Sequence, residues 1–316
     1  MSRFPRLLAL ATALVLPCIA RAVIVYGGDG TQNTTAPAAD SPAYGVPWER
    51  VGLVAMTSTF NATGVYLGNY GGKDWVLTAA HVGAHDFTLN GKTYSAVDDS
   101  ALQLTTLGGA KADLLLFQIT TPPDALPLNM PLLRISSAQL ELNTSVTMIG
   151  NGYNRRSSLV GWDVAGTTWS TVSPVGADAI GYYHASDSSQ SLRWGTNKVS
   201  EGDVLLKVGA RSTICQATRF DAINGDAQGA SGDSGGGVFS QDSDGEWMLS
   251  GIVDYIGDFR AQGQPTNTAV VGNLTYFADL SAYRGQILTA IPEPQTTALL
   301  AGVAGLGLAL WSRRRR

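Results

Sequence analysis

Residues 229–237 of this chain read Gly229-Ala230-Ser231-Gly232-Asp233-Ser234-Gly235-Gly236-Gly237. Glycines on both sides of Ser234 allow backbone conformations that other residues resist, and they remove side chains that would block access to its hydroxyl. Successive backbone N–H groups in such a turn can converge on one point, which is the geometry that stabilises an oxyanion. The stretch predicts a turn that presents a serine nucleophile, although its glycine content alone also fits a flexible surface loop.

Two segments upstream contain the groups that such a serine would need. A serine hydroxyl is almost wholly neutral at pH 7, so its attack on a carbonyl requires a base. His81 ends an apolar, strand-like segment, residues 75–81, which would leave its imidazole at a strand end. Asp113 directly precedes the apolar residues 114–117. A carboxylate there is expected either at the exposed end of a strand or buried with a partner, because an unpaired buried charge is costly. Taken singly, His81 also fits an ordinary half-buried histidine and Asp113 a strand-capping aspartate.

The rest of the chain reads as short strands separated by turns. Hydrophobic residues make up 44% of the 316 residues and charged residues 15%, a balance that excludes wholesale disorder. The 37 glycines and 13 prolines, without a collagen period, favour many turns. Short apolar or alternating segments predict strands at residues 51–56, 64–68, 75–79, 114–119, 145–149, 204–208, 237–239 and 247–253. These features predict an all-β protein in two lobes.

Three further segments complete this prediction. Residues 120–131, which are rich in proline, are the expected crossing between the two lobes. Residues 276–288 are the best helical candidate, and the polar residues 178–191 are expected to form a loop. His184 lies in that segment and is therefore expected on a loop or at the surface.

Charge and cysteine content limit the partners. Seven of the 21 Lys and Arg residues lie in the two terminal segments, whereas 24 of the 25 Asp and Glu residues lie between them, which leaves the central region at about −10. So acidic a region does not suggest binding to nucleic acid. Cys18 lies in the first 22 residues, so Cys215 has no intramolecular partner. This excludes a disulfide scaffold and a multi-cysteine zinc site.

Residues 1–22 have the three parts of a secretory signal peptide. Arg3 and Arg6 form the basic region, residues 7–19 are an apolar stretch, and Ala20-Arg21-Ala22 supplies a small-x-small cleavage pattern. We expect cleavage after Ala22 and export across the inner membrane. A short N-terminal anchor is the alternative.

The C-terminal residues also have the pattern of a targeting signal. Residues 289–295 form a linker that contains Ile291-Pro292-Glu293-Pro294, residues 296–311 are an uncharged membrane segment, and residues 312–316 are a basic tail. The arginines would remain cytoplasmic. This tail resembles the PEP-CTERM sorting signal of Gram-negative bacteria. The resemblance implies processing by an exosortase-type enzyme, transient anchoring in the membrane, and delivery to the cell surface or extracellular matrix. A plain C-terminal anchor is the alternative.

Three segments together resemble the chymotrypsin/trypsin-like serine proteases. They are Thr78-Ala79-Ala80-His81, Ala112-Asp113-Leu114-Leu115-Leu116 and Gly232-Asp233-Ser234-Gly235-Gly236, in the order His, Asp, Ser. That order differs from those of subtilisins and α/β-hydrolases. The resemblance covers residues 23–288. It implies two packed six-stranded β-barrels with the catalytic groups in the cleft between them, and a short C-terminal helix.

The resemblance also implies a role for each motif residue. Ser234 would attack the peptide carbonyl, His81 would act as general base, and Asp113 would orient the imidazole. The backbone N–H groups of Gly232 and Ser234 would form the oxyanion hole. Val82 stands where many members of this family have a cysteine, so its loop would be held by packing and hydrogen bonds alone.

Other residues compete for these roles. Three aspartates lie nearer to His81 in sequence than Asp113 does: Asp86, Asp98 and Asp99. They lie among polar turn residues, whereas Asp113 matches the family pattern. His85, four residues after His81, would suggest a paired metal site, but no Glu lies between them and no third ligand is evident. We therefore expect no metal and no cofactor.

Positions near Ser234 bear on specificity and activation. The resemblance places Gln228, six residues before Ser234, at the base of the primary specificity pocket, with Asp254 as a second tentative member. A neutral amide there does not select Arg or Lys. Family members mature when a new N-terminal amine pairs with the aspartate before the nucleophile, here Asp233. Cleavage after Ala22 would free Val23, so export itself would generate the activating terminus.

These observations predict an exported serine endopeptidase that hydrolyses protein or peptide substrates through a Ser234 acyl-enzyme. Two other functions use the same residues. An inactive protease fold would serve as a surface binding module, and a carboxylesterase would use the same nucleophile on esters.

Overall fold

The structure is a computed structural model that describes residues 23–121, 128, 130–185 and 189–291. The expected signal peptide, the membrane segment with its basic tail, and most of the expected crossing between the lobes lie outside the described residues. No helix within the described ranges is long and apolar enough to cross a membrane. The segment boundaries given above stay predictions.

The first half of the chain forms a barrel of antiparallel strands. A two-residue strand, β1 (Ile24–Val25), and a 3-10 helix (Trp48–Arg50) precede it. The barrel strands are β2 (Val51–Ala55), β3 (Asn61–Tyr70), β4 (Lys73–Thr78), β5 (Phe87–Leu89), β6 (Lys92–Ala96), β7 (Leu102–Thr105) and β8 (Lys111–Thr120). Their order is β4-β3-β2-β5-β6-β8-β7, and the additional pairing of β4 with β8 closes six of them into a ring.

The second half forms another closed barrel of six strands and an accessory sheet. The barrel order is β13-β14-β19-β17-β16-β9, and the sheet order is β11-β10-β12-β18. The strands are β9 (Ser145–Gly150), β10 (Val160–Ala165), β11 (Thr168–Val172), β12 (Ala179–Tyr183), β13 (Arg193–Val208), β14 (Arg211–Arg219), β15 (Ala227–Gln228), β16 (Gly237–Gln241), β17 (Trp247–Gly257), β18 (Thr268–Val270) and β19 (Leu274–Asp279). A second 3-10 helix (Arg260–Gln262) follows β17, and the α-helix α1 (Leu280–Ala290) follows β19.

The largest hydrophobic cluster lies between the barrels. It combines side chains from the first barrel, such as Leu77 and Leu116, with Ile252 of the second barrel and with Tyr283 and Ile287 of α1. Two smaller clusters involve one barrel each. Strands such as β3 and β8 are therefore buried on both faces, which explains why their sequences read as continuous apolar runs rather than as alternating ones.

The predicted mostly-β architecture with a short C-terminal helix is confirmed, and each segment predicted as a strand overlaps one, with residues 51–56 and 75–79 each predicted one residue too long. The predicted start of the helix was wrong. Residues 274–279 pair with β14 and β17, and the Asp279 side chain accepts a hydrogen bond from the Ser281 N–H (2.9 Å), so the helix begins at Leu280. The loop predicted over residues 178–191 was also wrong in part, because β12 (Ala179–Tyr183) lies there and pairs with β10 and β18.

Candidate active site

The register between β4 and β8 brings His81 and Asp113 together. The strands run antiparallel, with Thr78 opposite Leu115. His81 lies three residues after Thr78, and Asp113 lies two residues before Leu115. Both side chains therefore emerge at the same end of this strand pair.

Two hydrogen bonds join His81 to Asp113. Oδ1 of Asp113 accepts the His81 backbone N–H at 2.7 Å, and Oδ2 lies 2.7 Å from Nδ1 of the ring. Because a carboxylate can only accept, Nδ1 is the protonated ring nitrogen of the neutral imidazole. The Asp113 residue is 4% exposed, whereas the His81 side chain is 33% exposed. Burial by itself raises the pKa of the Asp113 carboxyl, but the hydrogen bonds from His81 and its charge outweigh burial and hold this pKa below its ordinary value.

Ser234 lies in the turn between β15 and β16, and this turn is fastened to the first barrel. The Thr63 N–H donates to the carbonyl of Ser234 (2.9 Å), and the Thr63 hydroxyl donates to the carbonyl of Gly232 (2.8 Å). The same hydroxyl accepts the Asn151 N–H at 2.9 Å. One buried threonine of β3 thus connects the serine turn and the second barrel to the first.

Gly232 has a backbone conformation that favours glycine, with φ at +101°. A Cβ at this position would also meet the Gln190 side chain, the carbonyl oxygen of Asn151 at 2.6 Å and Cα of Gly152 at 3.1 Å. The glycine is required here by both conformation and space. Among the described residues, no acceptor takes up the backbone N–H of Gly232 or of Ser234.

Asp233 points away from the cleft into the second barrel and is completely buried. Its Oδ1 accepts the Gly152 N–H at 2.6 Å and its Oδ2 the Ala230 N–H at 2.7 Å, and the backbone N–H of Val23 also donates to it. Burial raises the pKa of Asp233 to about 7, and the three hydrogen bonds partly oppose this. The predicted activation partner is therefore in contact with Val23, the residue that follows the predicted cleavage site.

His81, Asp113 and Ser234 line one cavity of about 300 Å³. Asp254 lines it too and is hydrogen-bonded to Asp113. Gln228 is not among the residues lining this cavity. It is 1% exposed, and its side-chain N–H donates to the Gly229 carbonyl at 3.2 Å. Of the two tentative pocket residues, Asp254 therefore lines the cavity, whereas Gln228 is buried away from it.

The remaining sequence candidates do not join this site. His85 is exposed, and so are the three competing aspartates, Asp86, Asp98 and Asp99. His184 lies directly after β12 and outside the strands, as expected for a loop position, but it is only partly exposed. Its ring nitrogens are buried without a hydrogen-bond partner among the described residues, and burial lowers its pKa to about 4. His184 instead forms an isolated β-bridge with Arg155, and its ring contacts Tyr153 with the ring centroids 6.2 Å apart.

One group of potential metal ligands occurs in the described part of the chain. It consists of His81, Asp113 and Asp254, with one ligand atom of each within 4.8 Å of the others. Nδ1 of His81 and both oxygens of Asp113 already take part in the hydrogen bonds given above. The arrangement fits a hydrogen-bonded chain of proton carriers better than a metal centre.

Sequence reasoning missed two neighbours of Asp113. The Thr213 hydroxyl accepts the Asp113 backbone N–H at 2.9 Å, and Nε of Arg211 lies 3.5 Å from Oδ1 of Asp113. Both residues belong to β14, a strand of the other barrel, about 100 residues away in the chain. No motif in the sequence signals this contact, because it depends on how the barrels pack.

A family model described as Trypsin matches residues 40–280. Solved structures similar to this one include Rv3671c from M. tuberculosis in an inactive form, with 13% identity over 81% of this chain and 96% of that chain and a TM-score of 0.43. Another is kallikrein-related peptidase 10, with 14% identity over 78% and 96% and a TM-score of 0.45. A third is neuropsin, a serine protease of mouse brain, with 13% identity over 77% and 94% and a TM-score of 0.43. No curated protein matches the chain significantly.

We predict that Gly232→Ala destabilises the protein and impairs the site. Alanine pays about 1–2 kcal/mol for a left-handed backbone, and here its Cβ also meets the Asn151 carbonyl. Urea unfolding should therefore show a loss of more than about 2 kcal/mol.

Gly245→Ala is the matched control, because Gly245 has φ at +82° but no atom within 4 Å of the added Cβ. Its free energy of unfolding should fall only by the about 1–2 kcal/mol that alanine costs in a left-handed backbone. Equal losses in the two variants would show that the space around Gly232 is not restrictive.

Proposed function

Because the chain belongs to the trypsin family and is a serine-type peptidase, we propose that it is an exported endopeptidase with Ser234 as nucleophile, His81 as general base and Asp113 as orienting carboxylate. The observation that carries this proposal is the 2.7 Å contact between Nδ1 of His81 and Oδ2 of Asp113, beside a cavity that Ser234 also lines. The family gives the class of reaction, and this contact supports the choice of residues.

In the proposed reaction, Oγ of Ser234 attacks the carbonyl carbon of the peptide bond and loses its proton. Asp113 accepts Nδ1–H of His81, so Nε2 of the neutral ring is the nitrogen that accepts this proton. The resulting imidazolium is stabilised by the Asp113 carboxylate. It then gives the proton from Nε2 to the leaving amine as the carbon–nitrogen bond breaks. A water molecule, activated by the same base, hydrolyses the acyl-enzyme.

The negative charge that develops on the carbonyl oxygen needs fixed donors. We assign this role to the backbone N–H groups of Gly232 and Ser234, which flank Asp233 in the turn. The Asp233 side chain is held on the buried side of the turn by three backbone N–H groups, which supports a fixed conformation of the two donors. Loss of one such donor typically costs about 3–4 kcal/mol of transition-state stabilisation.

The proposed cleavage preference is not strictly for Arg or Lys. Gln228 is a buried neutral amide. The Ile256 side chain packs over Gly229, because its Cδ1 would lie 2.8 Å from a Cβ at that glycine. Asp254 is hydrogen-bonded to Asp113. Neither tentative pocket residue therefore offers a free carboxylate to a cationic substrate side chain.

We further propose that removal of residues 1–22 activates the enzyme. Cleavage after Ala22 would replace the neutral Val23 amide, which donates to Asp233, by a charged amine at the same place. An opposite charge favours the ionised form of a buried carboxyl. The aspartate next to Ser234 would then be a stable anion, and the turn that carries the oxyanion donors would be fixed.

The C-terminal segments support a proposal about localisation. A cleavage near residues 292–294 by an exosortase-type enzyme would release the protease from a transient membrane anchor. The enzyme would then reach the cell surface or extracellular matrix of a Gram-negative bacterium.

The nucleophile is tested with a fluorophosphonate probe. We expect labelling of the purified residues 23–288 that is lost in Ser234→Ala and retained in Ser231→Ala, an exposed serine of the same turn. Asp113→Asn should lower kcat by about 10⁴-fold, because the amide cannot accept from both the backbone N–H and Nδ1 of His81 and its own N–H would impose the wrong imidazole tautomer.

Labelling that persists in Ser234→Ala would contradict the assigned nucleophile. Folded protein that is not labelled would favour a binding module, and hydrolysis of esters without hydrolysis of peptides would favour a carboxylesterase.

The activation proposal predicts that the active enzyme begins at Val23. In the unprocessed chain the Asp233 pKa is raised from 3.8 to about 7. Its contribution to stability is therefore present below pH 3.8 and is lost as the pH rises through about 7. The processed enzyme should lose less stability over this range, since its amine favours the anion.

N-terminal sequencing and urea unfolding at several pH values check this prediction. Ala22→Leu, which blocks the cleavage pattern, should retain the pH-dependent loss. An active enzyme that begins well after Gly28 would refute the proposal.

The tail proposal predicts that the surface-associated protein ends near residues 292–294. Intact mass measurement of protein released from cells checks this. A mass that includes the four C-terminal arginines would instead show a plain membrane anchor.

A further inference from the structure

Asp254 places a second carboxyl group directly behind the proposed catalytic pair. It lies on β17 and is 6% exposed. It is hydrogen-bonded to Asp113, and one oxygen of each carboxyl lies within 4.8 Å of the other and of a His81 ring nitrogen. Two carboxyl groups that share a buried site do not both ionise at neutral pH, because their charges repel at close range. One proton is therefore held between them.

The surroundings decide which carboxyl carries that proton. Asp113 accepts two hydrogen bonds from His81, and the Arg211 guanidinium lies 3.5 Å from its Oδ1. Asp254 accepts hydrogen bonds from two neutral donors, the Thr213 hydroxyl and the Cys215 thiol, whose Sγ lies 3.9 Å from Oδ2. A cation and an imidazole stabilise a carboxylate more strongly than a hydroxyl and a thiol do. The negative charge lies on Asp113 and the proton on Asp254.

We propose that Asp254, as a neutral carboxylic acid, donates a hydrogen bond to the Asp113 carboxylate and is a positioning residue for the His81–Asp113 pair during hydrolysis. This inference rests on the proposed function, and it adds a fourth side chain to the line that ends at Ser234. The proton stays on Asp254 throughout turnover. Its donor group fixes the rotation of the Asp113 carboxylate, which in turn fixes the imidazole.

The proposal predicts a loss of activity at high pH. Burial and the charge of Asp113 raise the pKa of Asp254 to about 8. Above this pH the hydrogen bond is lost and a second anion faces Asp113. Repulsion then displaces Asp113 from Nδ1, and the imidazole loses the partner that orients it toward Ser234.

Few other groups around Asp254 change charge in this pH range. The titratable and charged groups on the described elements around it are Asp113, His81, Arg211, Cys215, Tyr255, Arg260, Asp279 and Tyr283. Burial raises the pKa of the Cys215 thiol, and it raises the pKa of Tyr283 to about 12. Both therefore remain neutral where Asp254 titrates. Burial also raises the pKa of Asp279, whose charge acts on Cys215 and on Tyr283.

The test compares Asp254→Asn with Asp254→Ala. Asparagine has the same shape and keeps an N–H donor toward Asp113, but it cannot ionise. Alanine removes the donor, and a misplacement of about 1 Å at a reacting group costs about 10²-fold in rate. We expect Asp254→Ala to lose at least about tenfold in kcat/KM at pH 7 and Asp254→Asn to recover most of that loss.

The pH profile separates positioning from simple packing. Between pH 7 and pH 9 the unmodified enzyme should lose roughly tenfold in kcat/KM, with a midpoint near 8, whereas Asp254→Asn should not. Asp244→Asn is the control, because it removes the same charge from an exposed turn and should keep the unmodified profile. The Val23 amine is common to all variants and cancels in the comparison.

A readout that does not need activity keeps the inference separate from the proposed function. In NMR titrations of the folded protein, the His81 ring resonances should show a second step near pH 8 that is missing in Asp254→Asn. Identical steps, identical pH profiles, or equal losses for the Asn and Ala variants would overturn the role of Asp254. An absence of hydrolysis and of fluorophosphonate labelling would instead overturn the proposed function, and the NMR titration would still decide the state of the carboxyl pair.

Discussion

The pairing of β4 with β8 is the interaction on which the site depends. It closes the first barrel, and its register sets the positions of His81 and Asp113 relative to each other. A shift by one residue would turn every side chain of the strand to the opposite face and separate the imidazole from the carboxylate. Register is strongly specified here because β8 is buried on both faces, so a shifted pairing would also disrupt two hydrophobic clusters. The stability of the barrel and the geometry of the site thus both depend on the register between β4 and β8.

The second barrel contributes its residues to the site through buried polar contacts rather than through covalent links. Cys215 is a free, buried cysteine. Thr63 instead joins the serine turn to the first barrel through its N–H and its hydroxyl, while Thr213 joins Asp113 to β14. Each of these bonds is buried, so its loss would leave an unpaired polar group, which costs more than the bond itself contributes. This explains how the two barrels hold a precise cleft without a disulfide.

The sequence was informative where local pattern determines structure. The motifs around His81, Asp113 and Ser234 identified the residues that line one cavity, and apolar runs predicted strands where both faces are buried. The short strand β12 was missed, because its pairing with β10 and β18 is long-range and because its five residues lie at the start of a segment, 178–191, that is otherwise mostly polar. The helix start was misplaced, since residues 274–279 are apolar enough to suit a helix and are held extended only by β14 and β17. The surroundings of His184 likewise come from distant residues, Tyr153 and Arg155, which no local pattern encodes.

Asp254 shows why site chemistry is harder to predict than site membership. In sequence it is one more carboxylate close to a specificity pocket, with the charge that a carboxylate usually has. In the structure it is hydrogen-bonded to another carboxyl, and this changes its expected state from anion to acid and its proposed role from binding a substrate to holding Asp113. The charge of a buried carboxyl is set by which donors surround it: a guanidinium and an imidazole for Asp113, and a hydroxyl and a thiol for Asp254. Since these donors come from both barrels, protonation states at this cleft are a property of the packed protein rather than of any segment within it.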